Sequence, residues 1–183
     1  MPQRKSKILR YSNNLWLLGE GMLGPLFAVF TERIGGSILD ISLAWAVYLI
    51  TTGLLVIFIG ELSDKKGRKE KFVIIGFALN ALFTFGYLLV TEPFHLFIVQ
   101  AGLGVGAALA TPTWNSLYAR YEDKKRGGYT WGLAAGQAAI TTGLAIIIGG
   151  FIVARYSFTA LFITMGIVQI IATLYQARII KKL

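Results

Sequence analysis

Apolar residues run in long blocks along the chain, and polar residues collect in the short gaps between them. Trp45–Ile59 and Phe72–Val90 are nearly all apolar, while the gap between them, GELSDKKGRK at residues 60–69, is crowded with charge. Blocks of about 20 residues nearly free of charge are long enough to cross ~30 Å of hydrocarbon as helices. They lack the period-two alternation of strands, and an open sheet edge cannot face lipid. The expected fold is an all-α membrane protein with six transmembrane helices, at roughly 13–34, 41–62, 72–91, 94–118, 129–154 and 158–177. Residues 1–12 and 178–183 remain as basic termini. Gly35-Gly36, Glu92-Pro93, Gly127-Gly128 and Arg155-Tyr156-Ser157 supply turn or polar breaks. The first apolar run continues to Phe30 without a small-residue cleavage pattern, so a retained first span is expected.

Composition supports the same class. Hydrophobic residues make up 55% and charged residues 15% of the 183, against roughly 25% charged in soluble domains. One soluble core of this size could not hide so much apolar sequence. The net charge of +9 would point to nucleic acid in a soluble protein, but here the cations sort by gap. Arg4, Lys5, Lys7 and Arg10 precede the first span; Lys65, Lys66, Arg68, Lys69 and Lys71 lie between the second and third. Arg120, Lys124, Lys125 and Arg126 lie between the fourth and fifth, and Arg178, Lys181 and Lys182 follow the sixth. Sixteen of the 18 Lys and Arg thus fall on one side, leaving Arg33 and Arg155 on the other. By the positive-inside rule both termini are expected in the cytoplasm, with every copy facing the same way. The expected location is the cell (inner or plasma) membrane, among lipid, with no nucleic-acid partner.

No enzyme chemistry is expected. The chain has no cysteine, which removes disulfides and thiolate metal sites. The lone His95, just past Pro93, has no Cys or acid cluster suited to a metal and reads as an interfacial residue. No Walker-type phosphate loop occurs, so direct ATP drive is not expected, nor is any cofactor.

GELSDKKGRK resembles the signature loop of the major facilitator superfamily, G-x-x-x-D-[RK]-x-G-[RK]-[RK], which joins the second and third helices. Gly60, Asp64, Lys65, Gly67, Arg68 and Lys69 fill all six specified positions, on the required loop. GVGAALATP at 104–112 is similar to the family's Gly-rich fourth helix, and Arg126-Gly127 to the Arg-Gly that opens the fifth. Gly24-Pro25 in the first helix fits as well. The resemblance covers the first six of the family's usual twelve helices. It implies a half with 3+3 inverted repeats, of which the Gly-rich runs ending in Pro25 and Pro112 are a faint echo. Two departures limit it. The position where the fourth helix often bears a proton-coupling Arg is Gln100, and Ala145 and Ile146 replace the Gly-Pro of the fifth-helix antiporter motif, leaving only Gly149 and Gly150. Drug/proton antiport is therefore not implied.

The motif also has physical reasons. Gly60 lets another backbone approach the second helix, and Gly67 permits the positive φ of a tight turn. Asp64 is expected to pair with Arg68 or to face the positive N-terminal end of a neighbouring helix. In the family that neighbour belongs to the C-terminal half, and the contact holds the cytoplasmic side shut. A positive-inside loop would explain the Lys and Arg, but not Gly60, Asp64 and Gly67 together.

Inside the spans one acid stands out. Glu20 lies about seven residues, hence ~10 Å, into the first helix, and an ionised carboxylate at mid-bilayer costs about 2.5–3.5 kcal/mol. It is a candidate proton carrier or ligand for a cationic substrate, or else a carboxyl bonded to a neighbouring helix or snorkelling to the interface. Gln100, Gly104, Thr111 and Asn115 form a stripe on the fourth helix; Gln137 and Thr141 on the fifth and Trp45, Tyr48 and Thr52 on the second do likewise. The candidates for substrate or proton contact are Glu20, Trp45, Tyr48, Gln100, Thr111, Asn115, Gln137 and Thr141. Each is alternatively interhelical glue, worth ~0.6 kcal/mol in membranes. The resemblance implies that the first, second, fourth and fifth helices line the half-cavity, with the third and sixth peripheral. Asn80 and Thr84 in the third helix do not follow that division.

The expected function is secondary active transport of a small-molecule solute by alternating access, with the chain working as a parallel homodimer of half-transporters. Two other readings stand beside it. The chain is the N-terminal fragment or split half of a twelve-helix carrier, whose partner is a C-terminal half-transporter; or it is a non-transporting binding or regulatory subunit on the same scaffold.

Overall fold

The computed structural model describes residues 2–180, and these are helical almost throughout, with no strand among them. Seven α-helices follow in order: α1 (Pro2–Gly21), α2 (Leu26–Arg33), α3 (Ile38–Lys66), α4 (Lys69–Gly86), α5 (Pro93–Tyr121), α6 (Gly127–Arg155) and α7 (Phe158–Ala177). Short 3-10 turns at Tyr87–Leu89, Lys124–Arg126 and Arg178–Ile180 extend α4, precede α6 and follow α7. Five segments are long and apolar enough to cross a membrane: Ile38–Lys66, Lys69–Leu89, Pro93–Tyr121, Lys124–Arg155 and Phe158–Ile180. The protein is therefore an integral, multi-pass membrane protein.

The first expected span, 13–34, departs most from the sequence reading. It is broken between α1 and α2, because Pro25 lacks an N–H and its ring crowds the preceding turn. Gly24 takes a φ of +22° in the break, which a side chain would oppose. The Phe27 amide then donates to the carbonyls of Leu23 and Gly24, at 3.1 and 3.2 Å, to restart the helix. At its other end the helix begins at Pro2 rather than 13. Ile8, Leu9 and Ser12 are buried at helical spacing, and the Trp114 indole donates to the Leu9 carbonyl at 2.9 Å. Ser12 donates to Gln176 of α7. Residues 4–12, the basic N-terminus, thus pack into the bundle as part of α1. The C-terminal cations Lys181 and Lys182 lie outside the described residues.

The other boundaries have local causes. Ser37 and Asp40 cap α3 reciprocally, the Asp40 amide donating to Ser37 Oγ at 3.3 Å and the Ser37 amide to Asp40 Oδ2 at 2.8 Å. The helix stops at Gly67, whose φ of +61° closes a left-handed cap as its amide donates to Ser63 at 3.0 Å. Pro93 opens α5 at a position where its missing N–H is harmless. The Ser157 hydroxyl caps α7 by accepting from the Ala160 amide at 3.1 Å.

The bundle centres on α5, the most enclosed helix, which packs on α4 and α3, while α1 lies against α6 and α7. Two clusters of buried side chains fill it. Phe30, Tyr87, Leu96, Phe158 and Phe162 occupy one end, and Leu9, Val73, Phe77, Leu117, Tyr118 and Ile179 the other. The latter end also gathers the cationic segments: Lys5 lies over the Tyr121 ring, and the Tyr118 hydroxyl donates to the Thr130 carbonyl at 3.0 Å. Outward, α3 and α6 are the least covered, exposing Leu49, Leu54 and Ile57, and Ile140, Ile147 and Phe151.

Candidate functional site

The break between α1 and α2 decides where a cavity can form. It leaves Glu20 on the last turn of α1, beside backbone that no longer continues as a helix. Across the gap stands Tyr48 of α3, whose hydroxyl donates to Glu20 Oε1 at 3.3 Å. The approach of α3 depends on Gly104 of α5, where a Cβ would lie 2.9 Å from the Tyr48 carbonyl oxygen. Thr52 adds to this crossing by donating to the Tyr48 carbonyl at 2.7 Å, with the Gly104 oxygen 3.3 Å away. Trp45, one turn before Tyr48, stacks on it with ring centres 5.5 Å apart and leans on Phe27 of α2 at 6.2 Å.

Behind these residues is a cavity of about 230 Å³ to which all seven helices contribute. Its polar wall comes from Glu20, Tyr48, Asn80, Thr84, Tyr87, Gln100 and Thr142, and much of the rest is apolar, including Leu17, Phe27, Leu103, Ile146 and Met165. The Tyr87 hydroxyl donates to Gln100 Oε1 at 3.5 Å, held by a stack of its ring on Phe162 at 5.0 Å. Asn80 is wholly buried, and neither its Oδ1 nor its Nδ2 has a hydrogen-bond partner; Gln100 Nε2 has none either. An aromatic rim, one carboxylate and unsatisfied amides in an apolar chamber suit a small amphipathic ligand. The carboxylate and aromatic faces together favour a cationic end.

The sequence candidates divide into three places. Glu20, Trp45, Tyr48 and Gln100 meet at this cavity. Thr111 and Asn115 line a smaller recess of about 160 Å³ with Asn13 and Trp16, nearer the basic end. Gln137 accepts from Asn14 Nδ2 at 3.4 Å, while Thr141 lies in a groove between α1, α6 and α7. The cavity also takes in Asn80, Thr84 and Tyr87, which lie outside the sequence candidates although their spacing of four and three places them on one helical face. The expectation that the third and sixth spans are peripheral fails here. Helix α4 supplies Asn80 and Thr84, and α7 supplies Met165.

The signature loop forms a compact tie. Asp64 pairs with Lys69 at 2.5 Å, rather than with Arg68, and Lys69 Nζ also donates to Ser116 Oγ of α5 at 2.5 Å. Arg68 is instead the residue that starts α4, its carbonyl accepting from the Lys71 and Phe72 amides. Lys65 pairs back to Glu61 at 2.5 Å on the exposed face. At Gly60 a Cβ would meet no atom within 4 Å, so among the described residues no other helix uses the clearance that this glycine provides.

Comparison with known proteins finds relatives among membrane transporters. An uncharacterized MFS-type transporter of Methanocaldococcus jannaschii is 27% identical over 158 residues, covering 86% of this chain and 41% of the relative. The proton-coupled antiporter flippase LtaA of Staphylococcus haemolyticus is 26% identical over 130 residues, covering 70% and 32%. The multidrug resistance protein MdtL of Shewanella oneidensis is 27% identical over 138 residues, covering 74% and 34%. The chain spans 32–41% of the length of these relatives. Residues 14–181 match the family model of the Major Facilitator Superfamily, and the chain belongs to that family of membrane transporters.

Proposed function

We propose that the chain is a secondary active transporter of a small solute, working by alternating access as a parallel homodimer of six-span units. The observation that carries this reading is the chamber at Glu20, a carboxylate and phenol pair inside a bundle of the transporter family. In this reading α1 and α2 together make the first crossing, which with the five long helices gives six. The gathering of Lys5, Lys69, Arg120 and Arg126 segments at one end of the bundle supports cytoplasmic termini and the cell membrane as location. Two copies inserted the same way can relate as the two halves of longer carriers do, about an axis along the membrane normal. The exposed faces of α3 and α6 and the open side of Gly60 give such a copy somewhere to pack. Asp64, with Lys65, Gly67, Arg68 and Lys69, then forms a cytoplasmic gate against the start of α6 in the other copy.

The substrate end assigned to Glu20 is cationic, with Trp45 and Tyr48 as its aromatic walls. Gln100, Thr111, Asn115, Gln137 and Thr141 are the further polar positions along its path. Two relatives bear names of a proton-coupled flippase and a multidrug resistance protein, which supports a proton-linked organic solute. Gln100 carries no charge, and Glu20 is the acid that lines the cavity, so proton coupling is assigned to Glu20 in this reading. The length of the relatives favours a second reading, in which a separate C-terminal half rather than a second copy completes the carrier.

Reconstituted liposomes test the reading. An inward solute flux that follows an imposed pH gradient and disappears in Glu20→Gln supports transport. Absence of flux for every organic cation tried supports a binding or regulatory subunit instead. Mixing copies that carry Cys only at 64 with copies that carry Cys only at 129 tests the assembly: a disulfide-linked pair supports the homodimer, and its absence overturns it.

A further inference from the structure

We infer that Asn80 and Gln100 form a second subsite behind Glu20, which receives a carbonyl or hydroxyl group of the same cationic ligand. The inference rests on the cation reading of Glu20 and names the other end of the molecule. Asn80 is wholly buried on α4 with both amide atoms unpartnered, and Gln100 Nε2, buried on α5, is unpartnered too. Both residues line the Glu20 cavity.

Burying an amide without partners is costly, and native proteins rarely leave one so. Interhelical glue does not account for these groups, since no neighbouring helix bonds to them. Gln100 Oε1 is already committed to the Tyr87 hydroxyl, which leaves its NH₂ group as a donor. Asn80 offers a donor and an acceptor. Two amide donors and one acceptor suit an oxygen function, an ester or amide carbonyl or a hydroxyl, better than a second charge. An oxygen group of the ligand supplies the partners that these amides lack. Apolar Leu17, Leu103, Ile146 and Met165 line the same chamber, which suits a short hydrocarbon linker between the two ends. The ligand class is therefore a small organic cation with an oxygen function a few bonds from its charge.

A matched pair of probes tests this on the full chain in lipid nanodiscs. Acetylcholine carries a quaternary ammonium and an ester carbonyl, while pentyltrimethylammonium has the same cation and similar length with no oxygen. A site built to bond an oxygen group discriminates against the analogue lacking it. The wild type is expected to bind acetylcholine about tenfold more tightly, equivalent to ~1.4 kcal/mol. Asn80→Leu and Gln100→Met, each close in shape to the residue replaced, should bring the ratio to about threefold or less while leaving pentyltrimethylammonium binding nearly unchanged. Gln100→Met tests the subsite however Asn80→Leu folds. Glu20→Gln should weaken both probes about equally. Equal affinities in the wild type, or a preference that survives both amide substitutions, overturns the subsite while leaving the cation site standing. If neither probe binds, the cation reading fails and the subsite falls with it.

Discussion

The backbone carbonyl of Met22 rests on Gly149, in the space where a side chain at 149 would begin. The break between α1 and α2 therefore depends on a glycine of α6, more than a hundred residues away in sequence. Gly150, its neighbour, faces open space. Gly149→Ala is expected to destabilise the bundle by about 1–3 kcal/mol, as overpacking does in close-packed interiors. Gly150→Ala should be neutral or stabilising by up to ~1 kcal/mol through helix propensity. Unfolding midpoints in detergent, measured side by side, check the contrast.

Glu20 and Tyr48 are held together by the crossing at Gly104. Gly104→Ala brings a methyl to 2.9 Å from the Tyr48 carbonyl, so α3 must move outward and carry the phenol from the carboxylate. Transport is expected to fall about tenfold or more in Gly104→Ala. In Tyr48→Phe the loss should be smaller, about threefold to tenfold, the worth of one net hydrogen bond. Initial rates in liposomes distinguish the two.

Asp64 is well exposed, and its pair with Lys69 belongs to the surface class worth about 0–1 kcal/mol. Asp64→Asn should therefore leave the unfolding midpoint nearly unchanged. Under the gate reading it nonetheless lowers transport about tenfold. Gly60→Leu, whose Cβ enters open space among the described residues, should fold normally and yet weaken association between copies, as seen by cross-linking through positions 64 and 129.

At the N-terminus, Trp114→Phe removes the bond to the Leu9 carbonyl. A loss of about 1 kcal/mol is expected, with a further leucine-sized loss of about 2 kcal/mol or more for Leu9→Ala. Protease resistance of residues 4–12 in the native protein, lost in Leu9→Ala, gives the check.

Much of this was legible in the residues. Block length and clustered charge point to membrane helices, and the Gly60–Lys69 pattern points to the family, because both are local properties. Glu20, Tyr48 and Gln100 stand out as polar residues within apolar runs, with Trp45 on the same helical face as Tyr48, and the four line one cavity. Asn80 and Thr84 are legible as polar residues on one face of the third helix, but the family's usual division of labour places that helix at the periphery. The Asp64–Lys69 pair and the fit of Met22 against Gly149 escaped because they depend on how separate helices meet. The burial of Leu9 escaped because its neighbours Arg4, Lys5, Lys7 and Arg10 gave the segment the composition of a tail.

Flux through a Glu20-dependent site is the core of the account, and one experiment reaches it most directly. Wild type and Glu20→Gln are reconstituted at equal density, a pH gradient is imposed, and radiolabelled acetylcholine is followed; its permanent charge keeps passive leak low. Accumulation above that in empty liposomes, abolished by Glu20→Gln and by dissipating the gradient, is the expected result. Accumulation equal in both proteins, or none above empty liposomes in either, contradicts it.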